Sequence, residues 1–162
     1  MTDRELPKNI EAEQAVLGAM IFSKDAILTA MEILLDEDFY REAHRIFFRT
    51  ILKLTDENSA ADLVTVTERL RKDGWLEKVG GITFVAYIAN CVPTAANIRY
   101  HAKIVKEMAL LRRLIEAGTE MICASYERHE DVEDILDKAQ AQIFSIASLQ
   151  NTKTFSSIPK VV

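Results

Sequence analysis

Apolar positions recur along most of this chain at spacings of three and four, the period of a helix with one buried face, and period-two alternation is absent. The pattern predicts an all-α fold. The first helix should begin after Asn9, a suitable N-cap, with Glu11 and Glu13 near the positive end of its dipole. Ala12, Ala15, Val16, Ala19 and Met20 then share a face. Ser23 can cap a second short helix carrying Ile27, Leu28, Met31 and Leu34. An acidic turn, Asp36, Glu37 and Asp38, leads into a third helix whose core face is Ile46, Phe47, Thr50, Ile51 and Leu54. Thr65 and Glu68 have capping-box spacing for a fourth helix, and Gly74 is a natural stop for it. After Gly80 and Gly81, the stretch "ITFVAYIANCV" reads as a compact fifth helix halted by Pro93.

Beyond Pro93 the pattern changes scale. Thr94 can cap a helix that runs to about Glu127 with Gly118 as its only weak point, a length of roughly 45 Å. The polar turn "ERHED" separates it from a second long helix over about 131–149, striped by Val132, Ile135, Leu136, Ala139, Ile143, Ile146 and Ala147. Two long helices joined by a short turn make an antiparallel hairpin. The expected organisation is a globular helical subdomain over 1–92, a hairpin over 93–149 and the start of a linker over 150–162. The polar close "SLQNTKTFSSIPKVV" suggests that more chain follows.

The hairpin carries more apolar surface than one packing partner can cover. One row on its first helix runs through Ile98, Ala102, Val105 and Ala109. A second holds Ile104, Met108, Leu111, Ile115 and Ile122, and a third Leu110, Leu114, Ala117 and Met121. These rows exceed the ~100° stripe of an ordinary amphipathic helix. Either the hairpin folds back on the small helices or it associates with another chain; periodicity leaves both open.

Composition removes whole classes of function. The 162 residues carry a net charge of −5 with the signs interspersed, a poor footprint for autonomous DNA binding, although Arg112 and Arg113 could touch phosphate locally. No apolar run approaches the ~20 residues of a membrane span, and the start lacks a secretory pattern, so a cytoplasmic setting is expected. No glycine precedes a lysine, which excludes a P-loop, and no G-x-S-x-G occurs. His44, His101 and His129 lack metal-ligand spacing; His44 beside Glu42 reads as structural because residues two apart on a helix do not face each other. Trp75 reads as a plug at the edge of the core, and Cys91 and Cys123 as buried free thiols. Catalytic and metal-binding residues are therefore expected to be absent. A helical enzyme or ligand-binding bundle would need convergent polar groups that this spacing does not provide.

Several ordered stretches, "LPKNIEAEQAVLGAM", "EDFYREAHRIFF", "DLVTVTERL", "GWLEKVGGITFVAYIANCVPTAANIRYHAKIV" and "LRRLI", together resemble the amino-terminal domain of DnaB-type replicative DNA helicases of bacteria. The resemblance runs from about Leu6 to Leu149. It implies a homohexamer whose collar is a trimer of dimers paired through hairpins, and a docking place for the carboxy-terminal domain of primase. It also implies an ATP- and Mg-dependent RecA-like motor in a separate carboxy-terminal domain, and a helicase loader among the partners. For hairpin pairing the surplus apolar residues are the candidates: Leu110, Leu111, Leu114, Met121, Ile143 and Phe144. For primase docking, the positions matching the family are Glu11, Phe84, Ile115 and Met121, with Phe84 standing where many relatives have tyrosine. The alternative is a self-associating helical module unconnected with a helicase.

Overall fold

The computed structural model describes residues 4–92 and 94–151, and the regular structure among those residues is entirely helical, with no strand. Eight α-helices appear among them: α1 (Ile10–Phe22), α2 (Lys24–Ile33), α3 (Glu42–Asp56), α4 (Leu63–Lys72), α5 (Leu76–Val79), α6 (Gly81–Ala89), α7 (Ile98–Glu127) and α8 (Val132–Asn151). A single 3-10 turn, Asp36–Asp38, precedes α3.

The caps explain where the short helices start and stop. Asn9 accepts from the Ala12 amide at 2.9 Å, and Ser23 from the Ala26 amide at 3.4 Å, as their side chains suggested. At α4 the expected capping box gives way to another cap. Asp62 accepts from the Thr65 amide at 2.8 Å, so the helix starts one residue after Asp62 and Thr65 lies inside its first turn. Glu68, three residues further in, instead pairs with Arg71. Gly74, at φ 78°, ends α4 as expected. The amides of Gly74 and Trp75 return to the carbonyls of Arg71 and Leu70 at 3.1 and 2.8 Å, the Schellman arrangement.

Between Gly74 and Gly80 lies α5, four residues long and too short to declare a period. Gly80, at φ 117°, then turns the chain into α6. That helix ends at Ala89, earlier than read: the Asn90 and Cys91 amides bond only three residues back, to the carbonyls of Tyr87 and Ile88 at 3.1 Å, while their side chains donate to the carbonyls of Ala86 and Tyr87. Pro93 itself lies outside the described residues. Thr94 accepts from the Ala96 amide at 3.2 Å and so shapes a turn ahead of α7, which starts only at Ile98.

The described residues divide into two compact units, Lys8–Ala109 and a second made of residues 4–7 with 110–151. In the first, α1 packs against α2, α3 and α6, while α3 also meets α4 and α5. Gly18 makes the α1–α6 crossing possible: a Cβ there would stand 2.6 Å from the Ile88 carbonyl oxygen. The core contains Val16, Leu17, Met20, Phe39, Phe47, Phe48 and Ile51, all essentially inaccessible. Ile98, Ala102 and Val105 of α7 join the same cluster. The unit therefore reaches past the expected seam at residue 93, because the first apolar row of the long helix is spent on this core. Trp75 is a correction of another kind: it is exposed, with the Lys78 ammonium 4.9 Å from its ring centre. Both cysteines are free, but only Cys91 is half-buried, its thiol pushed up by burial, whereas Cys123 is exposed.

Two carboxylates are buried in this unit. Asp38 is inaccessible, accepting from the Leu35 amide at 2.8 Å and from the Lys106 ammonium at 3.0 Å. Glu13 lies on the inward side of α1 and reaches the start of α3. It accepts from the amides of Tyr40 at 2.9 Å and Arg41 at 3.5 Å, and from His44 Nδ1 at 2.7 Å. Three donors thus converge on one side chain. His44 is structural as read, but its partner is Glu13; Glu42 pairs with Lys78 at 3.0 Å.

Replacing Glu13 with alanine strands those donors in the interior and is expected to cost about 3–5 kcal/mol in urea denaturation. A loss below about 1 kcal/mol would show that water satisfies them instead. Asp62→Ala should cost about 1 kcal/mol and Thr65→Ala clearly less; the reverse order would restore the capping box. The Asp62 carboxyl is held below its ordinary value by hydrogen bonds from Thr65. The cap's contribution is therefore complete above the unfolded carboxyl's pKa and disappears as pH falls through the lower folded one.

Candidate interaction surfaces

The second unit is a hairpin. Beyond Leu110, α7 continues to Glu127, the chain reverses through residues 128–131 with Arg128 in the left-handed region at φ 55°, and α8 returns. Gln142 of α8 donates to Glu120 of α7, as an antiparallel return allows. Lys138 reaches back to Glu130 at 2.6 Å, and Arg112 donates to the Pro7 carbonyl at 2.7 Å. Arg112 and Arg113 are both half-buried and engaged in contacts, so they do not form a free basic patch.

Only Ala117 is fully buried on α7 after Leu110, and α8 has no fully buried residue among those described. A hairpin of this kind has one contact face and leaves its other apolar rows in water. Leu111, Leu114 and Ile115 are 43%, 42% and 44% exposed, and Ile143 and Phe144 are 47% and 75% exposed. Leu110 and Met121 are half-buried. On α8, Ala139, Ala141, Ile143, Phe144 and Ala147 form an open, largely apolar surface with Asp137 and Gln140 at it. The pairing candidates thus split into an exposed set of four, plus Leu110 and Met121 at the margin of the internal contact.

The docking candidates lie on both units. Glu11 is exposed in the first turn of α1. Phe84 is half-buried: its ring stacks on His44 at 5.8 Å between centroids and meets Phe47 edge-on at 6.1 Å. Phe84 therefore rests directly on the imidazole that Glu13 holds. Sequence reasoning placed Glu13 among first-turn acids and missed this role. A signal was present, since Glu13 is in helical register with Val16, Leu17 and Met20, and His44 with Phe47, Phe48 and Ile51. His44 Nε2 is buried without a hydrogen-bond partner among the described residues.

Among the described residues no three His, Cys, Asp or Glu side chains cluster closely enough to hold a metal, and no helix is long and apolar enough to cross a membrane. What the geometry offers is surface for protein contact: an uncovered hairpin, and a head whose aromatic and buried polar groups are locked together.

A sequence profile described as "DnaB-like helicase N terminal domain" matches residues 5–107. The replicative DNA helicase DnaC of Bacillus subtilis (strain 168) is 46% identical over 162 residues, covering 100% of this chain and 36% of that protein. The replicative DNA helicase DnaB of Geobacillus stearothermophilus is 40% identical over 161 residues, covering 99% of this chain and 36% of that protein. The chain thus spans little more than a third of the length of these curated relatives. The crystal structure of the N-terminal domain of DnaB helicase from Mycobacterium tuberculosis superposes with a TM-score of 0.83 at 44% identity, covering 87% of this chain and 99% of that one. A structure described as a DnaB-like replicative helicase and its interactions with primase shares the fold at a TM-score of 0.69 and 20% identity, covering 94% of this chain and 36% of that one. This chain belongs to the DnaB-like helicase N-terminal domain family.

Proposed function

We propose that this chain is the amino-terminal collar of a bacterial replicative DNA helicase, pairing subunits through its hairpin and docking primase at the fork. The observation that carries the reading is the uncovered apolar surface of the hairpin in a chain of this family. An exposed Phe144 beside Ile143, with Leu111 and Leu114 on the neighbouring helix, is surface that a single copy leaves in water. A second copy covers it by presenting the same patch, as two-fold pairing requires. Three such pairs make a hexamer.

Primase docking is supported by the structure described as a DnaB-like helicase with its interactions with primase, which shares this fold. The docking residues in this reading are Glu11, Phe84, Ile115 and Met121. Glu11 and Ile115 are accessible as they stand, whereas Phe84 and Met121 present only part of their side chains. ATP-driven unwinding, with its Mg ion, is assigned to a motor domain in the portion of the relatives that this chain does not span. No chemical step is attributed to the residues of this chain in this reading. A helicase loader and, through the motor, DNA complete the partners, in the bacterial cytoplasm.

Sedimentation of the 162-residue chain should show concentration-dependent dimers or larger assemblies. Phe144→Glu should weaken association at least tenfold while leaving the helical circular dichroism intact; a strict monomer at high concentration would remove the pairing role. Ile115→Asp, folded by the same criterion, should lose at least tenfold in affinity for the carboxy-terminal domain of primase. Unchanged binding would exclude this docking surface.

A further inference from the structure

Phe84 sits in a seat built from three directions. Its ring lies nearly parallel to the His44 imidazole, at 14° and 5.8 Å between centroids, and meets Phe47 edge-on at 6.1 Å. One turn back, Gly80 leaves room for it: a Cβ on Gly80 would stand 2.9 Å from the Phe84 Cβ and 3.3 Å from its Cγ. Phe47 is fully buried and has no polar atom to orient it. The orientation of His44, by contrast, is set by a hydrogen bond.

That bond is single. His44 is inaccessible, and its Nδ1 lies 2.7 Å from Glu13 Oε1. Glu13 also accepts from the amides of Tyr40 and Arg41, at the amino-terminal end of α3 where a negative charge is favoured. A carboxylate only accepts, so the hydrogen of the imidazole sits on Nδ1. Nε2 is buried with no hydrogen-bond partner among the described residues, so no second bond orients the ring. An unmet buried nitrogen is costly, and an apolar ring would fill the same place without it. What the imidazole adds is an orientation that Glu13 dictates.

We propose that Glu13 and His44 are positioning residues for docking at Phe84: neither touches the partner, and both act by fixing the angle at which the Phe84 ring meets it. The inference rests on the docking role proposed above for Phe84 and adds two residues behind it. Glu11, exposed two residues before Glu13 on α1, gains from the same anchor. Because Glu13 ties α1 to α3, and His44 of α3 carries Phe84 of α6, the two docking positions of the head keep a constant spacing. A ring backed by an oriented imidazole offers its partner one plane, and less order is lost when the partner binds.

The experiment is a double-mutant cycle between His44 and Phe84 in the 162-residue chain, read as affinity for the carboxy-terminal domain of primase. His44→Asn keeps an N–H where Nδ1 stands and removes the platform under the ring. It should weaken docking at least tenfold in the parent chain and less than twofold in a chain carrying Phe84→Ala. Equal losses in the two backgrounds, or none in either, would overturn the positioning role, since a loss of stability acts whether or not the ring is there. Phe84→Ala that leaves docking unchanged would overturn the docking role of Phe84 and this inference with it. A second reading needs no change at His44. In nuclear magnetic resonance of the chain with isotope-labelled histidine, the His44 signals should show the hydrogen on Nδ1. They should shift when the primase domain binds, although His44 is inaccessible, and stay in place when the chain carries Phe84→Ala. Signals that ignore docking in the parent chain would contradict the coupling.

Discussion

Two helices cannot enclose a core. Each can bury one face against the other, and whatever apolar surface remains must find a partner or stay wet. Here the internal contact leaves Ala117 as the sole fully buried residue of α7 beyond Leu110 among those described. Leu111, Leu114, Ile122, Ile143 and Phe144 remain in water, each more than two-fifths exposed. Removing such surface from water is worth roughly 25 cal/mol per Å², so a chain that exposes it continuously is poised to associate. In the proposed collar, pairing is the consequence of this geometry.

The head solves the opposite problem. It has enough elements to close a core and uses buried charge to fix how they meet. Glu13 ties α1 to the entrance of α3 through two backbone amides and His44, and His44 carries the ring of Phe84 from α6. Asp38 does the same for the base of α7 by holding Lys106. Paired buried ions contribute little net stability, but they penalise any arrangement that separates them. Phe84, a residue proposed for docking, is therefore held at a set height and angle, which would limit the ordering cost of binding a partner.

The helical character, the two caps at Asn9 and Ser23, the stop at Gly74 and the two long helices were legible because each depends on residues close in sequence. Where reading failed, competition or distance was the cause. Asp62 outcompeted Thr65 for one amide, and α5 was too short to carry a period. The seam was drawn at Pro93 because the pattern restarts there, yet the first row of the long helix belongs to the head. Glu13 was misread because a carboxylate in a first turn has a sufficient local role, and its three real partners lie far along the chain. On the hairpin, periodicity counted the apolar rows correctly but could not divide them between an internal face and a free one. Met121, assigned to both surfaces, lies at that division and is half-buried.

The central claim is that the hairpin's free face is covered by a second copy. Amide hydrogen exchange followed at low and high protein concentration tests it most directly, because it reports each segment separately. The account predicts that residues 110–127 and α8 gain protection as concentration rises, while α1–α6 stay unchanged. Exchange in the hairpin that is independent of concentration, or protection that appears in the head instead, would contradict it.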